Sequence, residues 1–226
     1  MNPASTVVRL QAHSRTVSMA FDDPTDHIAR KIIERGRFYE EDLLEDARNR
    51  MRQGTVVDVG AHVGNHTLWF AGVCGAPVVA FEPNPKSYTQ LIKNIRINGL
   101  DVHAHPFAVG ARETFGTLEE LRPGNSGMTR VVLDPSGYIP VVTLDQYALE
   151  DVAVLKIDAE DSELDVLRGA VQLLRREKPL LYFEARHEKQ RFAIEAFLDE
   201  ITVGGRPLGY RLLAGPFGWT PTWCYA

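Results

Sequence analysis

Four short apolar runs in this 226-residue chain each end in an acid: Val56-Val57-Asp58, Val79-Ala80-Phe81-Glu82, Leu155-Lys156-Ile157-Asp158 and Tyr182-Phe183-Glu184. A carboxylate is costly inside an apolar layer, so each acid marks the rim where a buried strand emerges. A single acid there is as readily a cap for the next turn as a ligand. Four on one rim favour a ligand site, because open α/β sheets bind ligands beyond the carboxyl ends of their strands. The first acid opens Asp58-Val59-Gly60-Ala61-His62-Val63-Gly64-Asn65. Small residues after a strand let backbone approach something closely, and a helix starting after Gly64 offers unpaired N–H groups to an anionic ligand group. The spacing is G-x-x-x-G, not the G-x-G-x-x-G of dinucleotide sites. Glu82 ends the next strand at the interval expected of an acid that accepts from ribose hydroxyls. Together they predict an adenosine-containing ligand.

The elements that must carry these residues follow from apolar periodicity and punctuation. Asp26 caps a helix over His27–Glu34 that Gly36 ends, and a second helix covers Tyr39–Arg52. Strands are expected at Thr55–Asp58, Pro77–Phe81, within Val102–Val109, at Val152–Ile157 and at Pro179–Phe183. Helices alternate with them over Asn65–Cys74, Lys86–Asn98, Ser162–Arg176 and Lys189–Glu200, with a helical turn or two at Leu144–Leu149. Continuous apolar strands alternating with helices belong in a mostly parallel sheet covered on both faces. Tyr210–Leu213 and Thr222–Tyr225 add an antiparallel edge hairpin about a turn at Gly215-Pro216-Phe217-Gly218. Residues 110–140, rich in Gly and Pro, read as an inserted β-hairpin region (Phe115–Leu118, Arg130–Leu133, Ile139–Val142). Residues 1–20 hold short strand-like pieces, within an N-terminal helical extension over 1–54. The whole is expected to be one domain.

At 44% hydrophobic and 24% charged, the chain can bury a sizeable core. A net charge of −5 argues against a nucleic-acid surface, which needs a basic patch. Cys74 and Cys224 have neither metal-site nor disulfide-framework spacing. No stretch has the length of a membrane span, and no signal-peptide pattern opens the chain. A cytoplasmic protein with a small-molecule partner, and with neither nucleic acid nor membrane, is expected. Its oligomeric state is open, a homodimer included.

In these residues the chain resembles the FkbM-type S-adenosylmethionine-dependent methyltransferases. The resemblance rests on residues 56–71 (VVDVGAHVGNHTLWFA), 78–85 (VVAFEPNP), 141–147 (VVTLDQY), 155–170 (LKIDAEDSELDVLRGA) and 179–185 (PLLYFEA), with RFYEEDLL (37–44) and PGNSGMTRV (123–131) as supporting elements. It covers about residues 30–213. It implies the class I methyltransferase (Rossmann-like) fold, a seven-stranded sheet, S-adenosyl-L-methionine as cofactor, and O-methylation of a sugar or natural-product hydroxyl. By position, Asp58, Gly60, Ala61, His62, Gly64 and Asn65 would hold the cofactor's amino-acid end. Glu82 with Pro83 would hold its ribose, Phe107 and Ala108 would flank its adenine, and Asp158 would sit beside the methyl. The family pattern after the fourth strand is aspartate, any residue, glutamate, glycine; this chain has Asp161 in the glycine's place.

Methyl transfer to a hydroxyl needs alignment and a base for the departing proton. The candidates are Asp158, Glu160, Glu184 and His187, with His62 in the glycine loop the other better placed histidine and His66 and His105 behind them. Glu160 and Glu184 are the stronger polar groups facing substrate. Asp158, Glu160, Asp161 and Glu184 carry oxygens of the kind Mg²⁺ takes. Acids clustered at a helix start are more commonly N-terminal charges, so no metal is expected. Tyr39, Glu40, Asn125 and Ser126 are candidate substrate contacts, each with a plain capping or turn reading beside it. N-methylation of a small amine and cofactor binding without catalysis stay open. Nucleobase amino methylation would carry an Asn/Asp-Pro-Pro-aromatic motif, where this chain has Asp158-Ala159-Glu160-Asp161.

Overall fold

The computed structural model describes residues 5–121, 127–218 and 221–226. Two strands, β1 (Thr6–Ala12) and β2 (Arg15–Phe21), open the chain as an antiparallel hairpin. Helix α1 (His27–Arg35) follows, its first turn capped by the Asp26 carboxylate, which accepts from Ile28 N and Ala29 N. Helix α2 (Glu41–Arg50) is shorter than its periodicity predicts, because Glu40 is left-handed and cannot continue a helix backwards. The expected helical extension over 1–54 is therefore a hairpin followed by two helices. The strand-like alternation of residues 1–20 is what the hairpin uses.

The central layer is built from β3 (Thr55–Val59), the short α3 (Asn65–Leu68), β4 (Val78–Phe81), α4 (Pro85–Asn98) and β5 (Val102–His105). The inserted region supplies β6 (Ala108–Val109), β7 (Thr114–Glu120), β8 (Thr129–Leu133) and β9 (Ile139–Val142), a separate four-stranded sheet in the order β6-β9-β7-β8. Thus Val102–Val109 is two strands in two sheets. The chain returns through β10 (Val152–Ile157), α5 (Glu163–Arg168), α6 (Val171–Glu177), β11 (Leu180–Glu184) and α7 (Glu188–Glu200). It closes with β12 (Thr202–Val203), β13 (Arg206–Pro207), β14 (Leu212–Phe217) and β15 (Thr222–Tyr225). The helix expected over Ser162–Arg176 is broken at Gly169. A Cβ there would stand 2.1 Å from the Gly110 carbonyl oxygen, so the break lets the insertion's first residue pack against it. Gly215 to Phe217 lie within β14 rather than in a turn.

The main sheet runs β14-β15-β11-β10-β3-β4-β5. It is mixed: β11, β10, β3, β4 and β5 are parallel neighbours, and β15 and β14 join antiparallel at one edge. Strand order reverses between β3 and β10, which opens a crevice at their carboxyl ends. Alternate residues feed the two faces. Val56, Val78 and Val154 pack on one side with Trp69 and Phe70, and Val57, Leu155 and Phe183 on the other with Leu167 and Leu174.

The hairpin docks on α4 through a polar seam. Asn98 Oδ1 accepts from Ser18 N (2.8 Å) and its Nδ2 donates to Ser18 O (2.7 Å). Asn94 Oδ1 accepts from Ala20 N (2.8 Å), while Gln90 Nε2 donates to Ala20 O (2.7 Å) and Gln90 Oε1 accepts from Asp22 N (3.0 Å). Asn94 Nδ2 reaches on to Val63 O (2.9 Å) and so ties the hairpin's helix to the loop after β3. No helix among the described residues is long and apolar enough to cross a membrane.

Candidate active site

The loop between β3 and α3 is held from below. Gly60 N and Ala61 N both donate to Phe81 O at 3.0 Å. Gly60 is left-handed (φ +77), and a Cβ on it would fall 1.8 Å from the Asp158 carbonyl oxygen. What approaches this glycine is therefore the neighbouring strand's backbone. Gly64 (φ +99) turns the chain into α3 with its missing Cβ 2.8 Å from a Leu91 methyl, and it does not line the cavity described below.

Asp58 lies beneath the loop, fully buried. Its Oδ2 accepts from the Thr67 hydroxyl (2.6 Å), and its Oδ1 lies 3.0 Å from the Lys156 ammonium. Lys156 also donates to Gly60 O (2.9 Å) and lies 3.9 Å from Asp158 Oδ2. Burial pushes the Asp58 carboxyl up, but Lys156, His66 and the Thr67 hydroxyl outweigh it and hold the carboxyl below its usual range. Burial likewise lowers Lys156, and Asp58 and Asp158 more than restore it. Asp58, expected to touch the cofactor, instead fixes the loop's shape from outside the cavity. Lys156 was not singled out from sequence. Its signal was a lone cation inside an otherwise apolar strand, Val152–Ile157.

Glu82 stands where the interval after the glycine loop places it. Its Oε2 accepts from His62 N (2.7 Å) and its Oε1 from Asn84 N (2.8 Å). The first bond needs His62 in a left-handed conformation (φ +50). Burial pushes the Glu82 carboxyl up to about 7 against these two donors. The Asn65 side chain is spent on structure, since Oδ1 accepts from Tyr39 N and Nδ2 donates to Tyr39 O, both at 2.9 Å. That pairing brings the Tyr39–Glu40 turn to the glycine loop. Glu40 Oε2 then lies 3.3 Å from His66 Nε2, with both side chains almost buried.

These parts enclose a cavity of about 610 Å³ at the carboxyl ends of β3, β4, β10 and β11. Gly60, Ala61, His62, Asn65, Glu82, Pro83, Phe107 and Ala108 line it, as do Tyr39, Glu40, Asp158, Glu160 and Glu184. Phe81 and Val109 extend its apolar wall beside Phe107. His187 is exposed at the start of α7 and does not line the cavity, so it drops out of the candidate bases. Asn125 and Ser126 lie outside the described residues, as does Trp219. Their neighbours Gly127, Met128 and Thr129 reach the cavity.

At one end, carboxylate oxygens of Asp158, Glu160 and Glu184 lie within 4.8 Å of one another. Arg186, which the sequence reading passed over, bonds Glu160 through Nη2 and donates from Nε to Glu184 Oε1 (2.9 Å). Burial and the neighbouring Asp158 raise Glu160 to about 7 and Glu184 to about 9, with Arg186 opposing. Glu160 and Glu184 are thereby made better proton acceptors than ordinary carboxylates.

A five-stranded parallel core with a strand-order switch, a glycine loop over it and an acid at the next strand's end define an α/β methyltransferase-like protein. Solved structures agree on that fold. A methyltransferase FkbM from Methylobacillus flagellatus superposes with TM-score 0.57 at 19% identity, over 78% of this chain and 45% of that one. The Pyrococcus abyssi tRNA (uracil-54, C5)-methyltransferase, solved in complex with S-adenosyl-L-homocysteine, gives 0.54 at 14% identity, over 97% and 43%. The sequence model of the methyltransferase FkbM domain matches residues 58–212, and the chain belongs to that methyltransferase family. A curated relative, the hexuronic acid methyltransferase AglP of Haloferax volcanii, is 30% identical over 141 residues. The match covers 58% of this chain and 55% of that protein's length.

Proposed function

We propose that this chain is an S-adenosylmethionine-dependent O-methyltransferase whose acceptor is a hydroxyl of a sugar or a related small molecule. The observation that carries the reading is the meeting of the Asp158, Glu160 and Glu184 carboxylates at one end of the crevice, where Glu160 and Glu184 hold their protons more tightly than ordinary carboxylates. The cavity suits the cofactor in its donor set. Glu82 spends one lone pair of each oxygen on a backbone N–H, which leaves a further one on each for ribose hydroxyls. Phe81, Phe107, Ala108 and Val109 give the adenine an apolar bed. The Gly60–His62 segment and Asp158 frame the space for the amino-acid end.

The bound cofactor supplies a methyl group already activated by its sulfonium. The chain's own residues do the rest. Glu160 and Glu184, crowded by Asp158 and held by Arg186, keep at least one proton among them. The ionised member accepts the proton of the acceptor hydroxyl. Tyr39, Glu40 and the Gly127–Thr129 segment close the cavity on the acceptor side and exclude water. The partial match to a hexuronic acid methyltransferase supports a sugar acceptor.

Calorimetry with S-adenosylmethionine and S-adenosylhomocysteine tests the cofactor assignment. Both should bind saturably. Glu82→Gln should weaken binding about tenfold or more, because an amide sets a donor against one of the two backbone N–H groups. Absence of saturable binding for both compounds overturns the reading.

A further inference from the structure

The segment Asp158–Asp161 brings two acids into the cluster by an unfavourable route. Glu160 (φ +49) and Asp161 (φ +75) are consecutive left-handed residues, neither of them glycine. L-residues rarely adopt this backbone without strain, so the surroundings must hold the segment in place. What holds it is a closed circuit of hydrogen bonds through two side chains that do not line the cavity. Ala159 N donates to Glu163 Oε1 (3.0 Å). Gln190 Nε2, on α7, donates to Glu163 Oε2 (2.7 Å). Gln190 Oε1 accepts from Arg186 N (3.0 Å). The Arg186 guanidinium then returns to Glu160 and Glu184. Glu163 is fully buried, and both of its oxygens have partners.

We propose that Glu163 and Gln190 are positioning residues that lock the segment after β10 to the segment after β11, so that Asp158, Glu160 and Glu184 meet around Arg186. The circuit fixes donor and acceptor order, and the order makes the proposal specific. In Glu163→Gln, two amide nitrogens face each other across the Glu163–Gln190 bond. In Gln190→Glu, two carboxylates do. In the exchanged double variant every bond returns: residue 163 accepts from Ala159 N and donates to residue 190, which accepts from Arg186 N. A residue that only fills space would not answer to that exchange.

The inference rests on the proposed function for its purpose but not for its test. With glutamate labelled by ¹³C at Cδ, NMR titration of the cofactor-free protein follows the Glu160 and Glu184 carboxyls. Each single variant should move their midpoints upward by about one pH unit as Arg186 is released. The exchanged double variant should bring them back to wild-type values. Gln190→Leu, at a half-buried and more tolerant position, should reproduce the shift if Glu163→Gln does not fold. Unchanged midpoints in Gln190→Leu, or a folded double variant that does not recover, overturn the proposal. Loss of cofactor binding in the wild-type protein would overturn the functional reading and leave this test standing.

Discussion

Replacing Lys156 with methionine tests whether the glycine loop is held from beneath. The substitution keeps the chain's shape and removes its charge. The fully buried Asp58 then keeps the Thr67 hydroxyl at 2.6 Å but loses the ammonium at 3.0 Å, and the Gly60 carbonyl loses its donor at 2.9 Å. Removing one partner of a buried ion pair costs about 3–5 kcal/mol, because the other charge stays behind uncompensated. Against a total stability of about 5–15 kcal/mol, that is a large share. Urea unfolding followed by circular dichroism near pH 7 should show it. The pH dependence is the sharper readout. In the wild type, Asp58 is held below its ordinary range, so its stabilising share is present above that range and is lost as pH falls through the lowered folded value. In the variant, burial acts with less opposition and raises the same carboxyl. The penalty is then largest at high pH and is relieved as protonation restores a neutral group. The gap between the two proteins should narrow as pH is lowered from about 8 to about 5, and Asp58→Asn added to Lys156→Met should recover most of the loss. A deficit under about 1 kcal/mol, or one independent of pH, refutes the reasoning.

Asp161→Gly should raise the urea midpoint, since glycine removes about 1–2 kcal/mol of left-handed strain and returns about 0.4–1 kcal/mol in unfolded-chain entropy. A lowered midpoint would mean that the Asp161 side chain stabilises more than its backbone costs. Burial, with Asp158 nearby, raises Glu160 to about 7 and Glu184 to about 9. Their neutral forms favour the fold, so that share of stability is full below about pH 4.5 and is lost as pH rises through about 7 to 9. Thermal melts of the cofactor-free protein should therefore drop between about pH 6 and 8, and Glu184→Gln should flatten the drop. A midpoint that rises over that interval contradicts the burial assigned to these acids.

The strand ends were legible in the sequence because an acid closing an apolar run marks the point where the chain leaves the core. Glu82, Asp158 and Glu184 reach the cavity for that reason, whereas Asp58 is still inside β3 and stays beneath the loop. Helix boundaries were legible where a cap has its own chemistry, as at Asp26 and Gly36 for α1 and at Asn84 and Gly99 for α4. The sequence was silent where a residue's partner is distant. Nothing local says that Asn65 serves Tyr39, or that Asp58 answers to Lys156 on a strand far along the chain. Arg186 and Lys156 carry no local mark of their roles, because each is defined by the acids it balances after the chain has folded. The break at Gly169 reflects a contact with Gly110, which helical periodicity cannot register. His187 shares a short segment with Glu184 but begins a helix and faces outward.

The seam between α4 and the N-terminal hairpin works like a vernier. Gln90, Asn94 and Asn98 stand four residues apart, about 6.0 Å of helix per step, while Ser18, Ala20 and Asp22 stand two apart, about 6.8 Å of strand. The scales slip by about 0.8 Å per rung, which side-chain reach absorbs over three rungs and would not over many more. Ser18 and Ala20 have both backbone groups satisfied on this side, so the seam seals one border of the hairpin against strand exchange with a second molecule. Cutting the hairpin away would strand three amides on a helix that also grips the loop after β3 through Asn94. Any shortened version of this chain made by trimming it up to Pro24 is thus expected to lose grip on its own glycine loop.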